Sequence, residues 1–467
     1  MIRKIQLRPR LPWHLLPAII ALAWPTMLEE LMQTAVQYID TAMVGSLGTK
    51  ETAAVGATTT VNWLLGTTIH ALGVGFLAYI SQAFGSGRQK DASKAAAQSV
   101  FVVLLFGSFF SVLCIALAAY VPVWMQVAPD IQKLSATYFM IVFGPMLPRA
   151  AILIFGTVLR AAGDTKTPMR VGVLVNVINI VLNFLLIYPA RAFSFLGISF
   201  VMPGADLGVI GAAIASAVSF CIGGIVITVC LYKNVKISPK GISVKPDKAV
   251  LRPCMKVALP NALQRFGTSL GYVAFASMIN SLGEIATAAH TIANTVESAF
   301  YIPGYGMQTA AATMAGNAYG AKDTKRIREL NRMINLIEVS MMIVTGGLLF
   351  VFAPPMMGLF TSDAVVIALG SVVLRMVALS EPFYGVSIVV EGMLMGMGKT
   401  VSPFVINIIG MWGIRIAGSA ICVYLLDLGL VSCWACMIAH NLFLFVSFLV
   451  LFPKILQKIP DFSQKTS

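Results

Sequence analysis

The stretch Ser46-Leu-Gly-Thr-Lys-Glu-Thr-Ala-Ala-Val-Gly-Ala-Thr-Thr-Thr-Val61 returns 235 residues later as Ser281-Leu-Gly-Glu-Ile-Ala-Thr-Ala-Ala-His-Thr-Ile-Ala-Asn-Thr-Val296, with eight of sixteen positions identical and no gap. The same shift pairs Pro25 with Pro260, Gly85 with Gly320, Gly163 with Gly398 and Pro168 with Pro403. The chain is therefore two copies of one unit, and whatever fold that unit adopts is adopted twice.

Composition says what the unit is made of. Hydrophobic residues are 58% of the 467 and charged ones 11%. A water-soluble domain cannot hide that much apolar surface, so lipid is part of the solvent. Twelve apolar stretches fall at 16–41, 53–80, 95–120, 132–155, 169–190, 208–232, 254–278, 288–312, 332–353, 365–393, 402–424 and 430–453. Their apolar residues run round every face with Gly and other small residues between them, as closely packed membrane helices require. No stretch reads as alternating barrel strands. The expected fold is an all-α integral membrane protein, twelve transmembrane helices in two pseudo-symmetric six-helix bundles. Residues 1–232 would form an N-terminal lobe, 233–253 a cytoplasmic linker, 254–453 a C-terminal lobe and 454–467 a cytoplasmic tail. Two like bundles leave a cleft near the bilayer midplane, where many secondary transporters place their substrate.

The net charge of +14 is an orientation signal rather than a nucleic-acid footprint. With the N-terminus taken as cytoplasmic, 26 of the 33 Lys and Arg fall on the tails and the even-to-odd connections, beginning with Arg3, Lys4, Arg8 and Arg10. Only Lys50, Lys133 and Arg191 lie opposite, and Arg149, Arg265, Arg375 and Arg415 fall within spans. That bias puts both termini in the cytoplasm of a cell that carries the protein in its plasma membrane. The basic N-terminus followed by an apolar run has no small-residue cleavage site, so it is expected to be retained. The linker, rich in Lys, Pro and Ser, suits contact with anionic lipid headgroups. Pro189–Asp206 faces outward as either a small cap or a plain loop.

Carboxylates inside spans are the most informative polar groups, because each costs ~2.5–3.5 kcal/mol at the bilayer centre on insertion scales. Seven qualify: Glu29, Glu30, Asp40, Glu297, Glu338, Glu381 and Glu391. On the first helix Glu29, Gln33 and Asp40 lie within ~20° of one line at ~100° per residue, with Gln37 ~60° away. That stripe should face the interior of its bundle; the alternative makes Asp40 a solvated residue at the membrane boundary. On the fifth helix Asn176, Asn179 and Asn183 stand at i, i+3 and i+7, one face that either partners Asp40 or simply joins helices. In the second half Glu297, Glu381 and Glu391 are candidates to line a cation or substrate pocket, unless Arg265 or Arg415 neutralises them in structural pairs. Pro25 and Pro260, each lacking a backbone donor, are candidate hinges in helices 1 and 7.

The run Tyr38-Ile-Asp40-Thr-Ala-Met-Val-Gly45, fifteen residues after Pro25, resembles the first-helix signature of the multidrug and toxic compound extrusion (MATE) family. Arg160-Ala-Ala-Gly-Asp-Thr-Lys-Thr-Pro168, before an Asn-rich helix, resembles that family's helix 4–5 junction. The overall pattern is most similar to the branch named for DNA-damage-inducible protein F. The resemblance implies export of organic, usually cationic, compounds in exchange for H⁺ or Na⁺, with Asp40 at the coupling-ion position, by a monomer that needs no other cofactor. Where some relatives carry a second carboxylate in helix 5 this chain has Asn, which weakens a Na⁺ site. Where another branch carries acids in helices 7 and 10, this chain has Thr268 and Tyr384.

Competing motifs are weaker. Gly398-Lys399-Thr400 lacks the Gly that a phosphate-binding loop needs five positions earlier, where Met393 stands. Cys433, Cys436 and His440 share a helical face but sit among apolar residues, so packing outweighs a zinc site. A lipid-linked precursor flippase of related architecture is the alternative function, although it would want a more cationic cavity. A membrane-embedded enzyme has no nucleophile or metal cluster to support it. The expected partners are small-molecule drugs or toxic organic cations and the lipid itself, with no nucleic acid.

Overall fold

The computed structural model describes residues 11–195 and 198–459. Arg3, Lys4, Arg8, Arg10 and the end of the tail lie outside them. Helices run in the order α1 Leu16–Gly45, α2 Thr49–Gly85, α3 Gln89–Leu117, α4 Gln132–Phe143, α5 Met146–Ala161, α6 Lys166–Leu186, α7 Gly208–Lys233, α8 Lys248–Asn280, α9 Glu284–Gly320, α10 Thr324–Gly358, α11 Ala364–Ala378, α12 Glu381–Gly396, α13 Val401–Leu425 and α14 Leu430–Gln457. Eight of these are long and apolar enough to cross a membrane alone. The pairs α4/α5 and α11/α12 each make one span, bent by 46° and 54°. The more polar α8 and α9, 33 and 37 residues long, complete twelve.

The repeat is visible in the punctuation. The two breaks fall at Gly144–Pro145 and Leu379–Ser380, which the 235-residue shift superposes. Gly48 and Gly283, and Gly163 and Gly398, all have positive φ at matching turns, a conformation that Gly adopts without a Cβ penalty. In α13 the ladder loosens into π-helical turns over Ile409–Ile416 and Ile421–Leu425, where a plain α-helix was expected. Asp323 and Asp363 cap α10 and α11 by accepting backbone N–H groups at 2.8 Å.

Pro189–Phe195 (β1) and Ile198–Ala205 (β2) pair antiparallel, Phe193 opposite Phe200. The expected cap or loop is thus a hairpin, and its period-two pattern was present in Ala192-Phe193-Ser194-Phe195.

The described chain divides into two compact units, each drawn from several stretches of sequence. One unit holds the described residues through Met27, Ser81–Gly87 and the described residues from Gly267; the other holds the described residues of Leu28–Ile80 and Arg88–Phe266. The divisions fall inside α1, α2 and α8, because packing rather than chain order decides membership. Leu15, Ile19 and Ala23 at the start of α1 are buried in a cluster with Met307, Met333 and Phe448. The connection before α8 shows the same effect. Residues 234–247 are non-helical and strapped onto α3: Gln98 Nε2 donates to the Lys245 carbonyl at 2.8 Å and Gln98 Oε1 accepts from Asp247 N at 2.9 Å. Lys90, Lys94, Lys236 and Lys245 line a cleft of about 840 Å³ beside that strap.

Candidate functional site

Asp40 sits half-buried near the end of α1. Asn183 of α6 donates from Nδ2 to Asp40 Oδ1 at 2.6 Å. Oriented so that both ends of its amide are satisfied, Asn179 also donates to Asp40 Oδ1, at 2.8 Å, while its oxygen accepts from Ser216 Oγ at 3.1 Å. Asn176 is buried two turns away from Asn183, and its Nδ2 has no partner. The Asn face therefore meets Asp40 through two of its three members. Asn183 presents its amide nitrogen directly, and with Asn179 assigned the same way round by its neighbours the carboxylate accepts both bonds.

The expected stripe on α1 divides. Glu29 is buried and receives Arg160 Nη1 from α5 at 2.8 Å. Gln33 and Gln37 are exposed. Eleven residues at ~1.5 Å each put Glu29 roughly 16 Å below Asp40, too far for one partner to serve both. Glu30 lies within electrostatic reach of Arg160 and Arg265. Arg160 was legible only as part of the junction motif; nothing in sequence spacing signals a pairing across 131 residues. Arg149, another span arginine, donates to Asn62 Oδ1 at 2.5 Å and lies over the Phe143 and Phe220 rings.

In the other unit Glu297 and Glu381 are buried, 5% and 1% exposed. Glu391 is half-buried and accepts from Asn407 Nδ2 at 3.3 Å. Arg415 lies over Tyr272 and Phe275, 5.3 and 5.4 Å from the ring centroids, and Glu297 feels its charge without a contact-distance pair among the described bridges. Arg265 belongs to the unit of Asp40, where its Nε donates to Asn261 Oδ1 at 3.2 Å. Tyr301, Tyr305 and Tyr384 cluster near these acids, the Tyr305 and Tyr384 hydroxyls 3.0 Å apart. Pro25 and Pro260 both lie inside unbroken helices.

Outside the membrane spans, Lys50 and Asp130 pair at 2.5 Å on the surface, and the ammonium holds the Asp130 carboxyl below the usual carboxylate range.

Residues 25–185 and 260–421 each match the family model MatE, two matches that begin 235 residues apart as the repeat does. A probable multidrug resistance protein NorM of Thermotoga maritima is 27% identical over 425 residues, 91% of this chain and 89% of that one. The multidrug and toxin extrusion protein 1 of Mus musculus is 24% identical over 90% of this chain and 72% of its own. Among solved structures, an outward-facing multidrug resistance MATE family transporter superposes with a TM-score of 0.86 at 23% identity, covering 94% of this chain and 96% of that one. A MOP superfamily transporter of Pyrococcus furiosus superposes with a TM-score of 0.85 at 22% identity, covering 95% and 96%.

Proposed function

Because the chain belongs to the MatE family, we propose that it is a secondary active multidrug efflux transporter, carrying organic cations out of the cell against an inward flow of protons by alternating access. Its relatives named for multidrug resistance support extrusion of small molecules. Transport rather than an enzymatic reaction is the family's business. The protein works as a monomer in the cytoplasmic membrane with both termini inside, as the distribution of Lys and Arg supports.

The observation that carries proton coupling is the polarity of the Asp40 contacts. Asn183 and Asn179 turn N–H groups to the carboxylate. A sodium ion needs several oxygens at one point, and donor nitrogens repel it. A proton needs only the acid itself. When Asp40 takes one up from outside, it loses the charge that attracts a cationic substrate and one of its acceptor positions. The α1–α6 contact then rearranges and substrate leaves. Release of the proton to the cytoplasm restores the carboxylate.

Proteoliposomes loaded with a fluorescent organic cation test this. A pH gradient in sodium-free buffer should drive transport. Strict dependence on sodium at fixed pH would assign the coupling to Na⁺ instead. Movement of a lipid-linked precursor, with no cation transport under either gradient, would favour the flippase reading.

A further inference from the structure

The unit that lacks Asp40 holds a carboxyl group unlike any other in the described chain. Glu338 stands in the middle of α10, fourteen residues or ~21 Å from its first residue at ~1.5 Å each. It is 0% exposed. Two glycines make the space it occupies. A Cβ on Gly304 of α9 would lie 2.6 Å from Glu338 Oε1, and one on Gly385 of α12 3.2 Å from the same atom. Met342 and Ile388 close the slot with apolar atoms. Among the described residues neither Glu338 oxygen has a hydrogen-bond partner, and no arginine or lysine pairs with it.

An ionised carboxylate left in that position would be a buried, unpaired charge, which folded proteins do not tolerate. Its surroundings offer repulsion rather than relief. Glu381, at the start of α12, is 1% exposed with an unpartnered Oε2, and it lies within electrostatic reach of both Glu338 and Glu297. The other ionisable groups on the packed helices are Glu284, His290, Tyr301, Tyr305 and Tyr319 on α9, Tyr384 and Glu391 on α12 and Arg375 on α11. The charged residues of α10 itself, Lys325 to Arg332, precede Glu338 by six or more residues, ~9 Å along the helix. Arg375 is exposed and donates to the Phe350 carbonyl at 3.3 Å, away from the slot. His14, before α1, is exposed as well.

We propose that Glu338 is a second proton-binding site, loaded in this conformation and unloaded when α9 and α12 separate enough to admit water to the glycine slot. The chemistry is a simple exchange: the carboxylate takes a proton from hydronium and leaves water, and the reverse step returns it. The slot suits a proton and not a metal ion, since no neutral oxygen donors converge on it. Occupancy by a proton stands independently of the transport reading. Unloading during transport rests on it.

Infrared difference spectroscopy of the purified full chain in lipid nanodiscs tests both. Wild-type protein should show the carbonyl band of a neutral acid without hydrogen-bond partners, shifted by deuterium exchange. Glu338→Gln should remove the band and Asp40→Asn should keep it. Titration to alkaline pH, or addition of ethidium as the organic cation, should weaken it. Gly304→Ala, which crowds Oε1, should shift its frequency even if Glu338→Gln folds poorly. In proteoliposomes Glu338→Gln should lower the number of protons exchanged per ethidium by one. A band that survives Glu338→Gln, or no band at all, overturns the site. A band that never responds to pH or ethidium overturns the cycle and leaves a permanently neutral structural acid. Sodium-driven transport with a responsive Glu338 band would refute the proton-coupled function and leave this site standing.

Discussion

Asn183 Nδ2 lies 2.6 Å from Asp40 Oδ1, a charge-assisted bond that ties α6 to α1 at the only acid of the unit's central stripe not already matched to an arginine. The bond depends on the charge of Asp40, and the contact between the two helices therefore depends on its proton.

Asp40→Asn is expected to abolish gradient-driven efflux while leaving the protein folded in the membrane. If proton and substrate compete, wild-type affinity for an organic cation falls as pH drops through the Asp40 titration, and linkage makes substrate binding expel the proton equally. In Asp40→Asn the affinity should be flat with pH. Equal pH dependence in both proteins would move coupling to another acid. Asn183→Ala should be milder, losing one bond to a charged group, about 1.5–3 kcal/mol.

The Glu29–Arg160 pair predicts a different phenotype. Both side chains are about nine-tenths buried, so removing one strands the other. Arg160→Met should cost about 3–5 kcal/mol and appear as lower thermal stability and yield rather than as altered ion coupling. Glu29→Gln combined with Arg160→Met should recover much of that loss. A stable Arg160→Met protein that has lost only proton dependence would instead make the pair part of the coupling route.

A third prediction concerns helix crossing. A Cβ on Gly85 would collide with the Asn317 carbonyl and one on Gly320 with that of Gln82, and the 235-residue shift exchanges the two contacts. Backbone cannot yield as a side chain end can. Gly85→Ala and Gly320→Ala should each lower stability in detergent, whereas Gly347→Ala, with nothing within 4 Å, should behave as wild type. Equal melting temperatures for all three would refute the close approach.

These contacts explain which features the sequence could disclose. The repeat paired Gly163 with Gly398 and aligned Gly48 with Gly283, and the structure gives each of the four a positive φ, since that depends on local chain chemistry. The bends before Met146 and Glu381 were missed because apolar periodicity continues through them. Asp40 and the Asn face were legible through helical spacing. The direction of their amides was not, because Asn is donor and acceptor alike until its neighbours choose. Glu29 was placed with the wrong companions for a similar reason: angular spacing shows a shared face, but only the fold brings Arg160 to it. The unit division inside α1, α2 and α8 left no mark in composition, since both sides are equally apolar.

The hinge expectation can now be made sharper at Pro25 than at Pro260. Pro25 has no N–H to offer the Ala21 carbonyl, so the ladder of α1 is already open there. Immediately after it, Thr26 Oγ1 donates to the Gly306 carbonyl at 2.8 Å. The Met27 backbone occupies the space a Cβ on Gly306 would take, 2.5 Å away. Leu28 onward belongs to the other unit. Ala23 before the gap and Thr26 after it are held in the same unit, and α1 changes neighbours only at Leu28, so the missing hydrogen bond lies just before that change, where the helix bends most easily. Pro25→Ala restores the bond and should slow turnover while sparing equilibrium binding of the organic cation. Thr26→Val keeps the gap but loosens the clamp, and should weaken stability more than it changes rate. Wild-type turnover in Pro25→Ala would place the bend elsewhere, with Pro260, which frees the Lys256 carbonyl in α8, the next position to substitute.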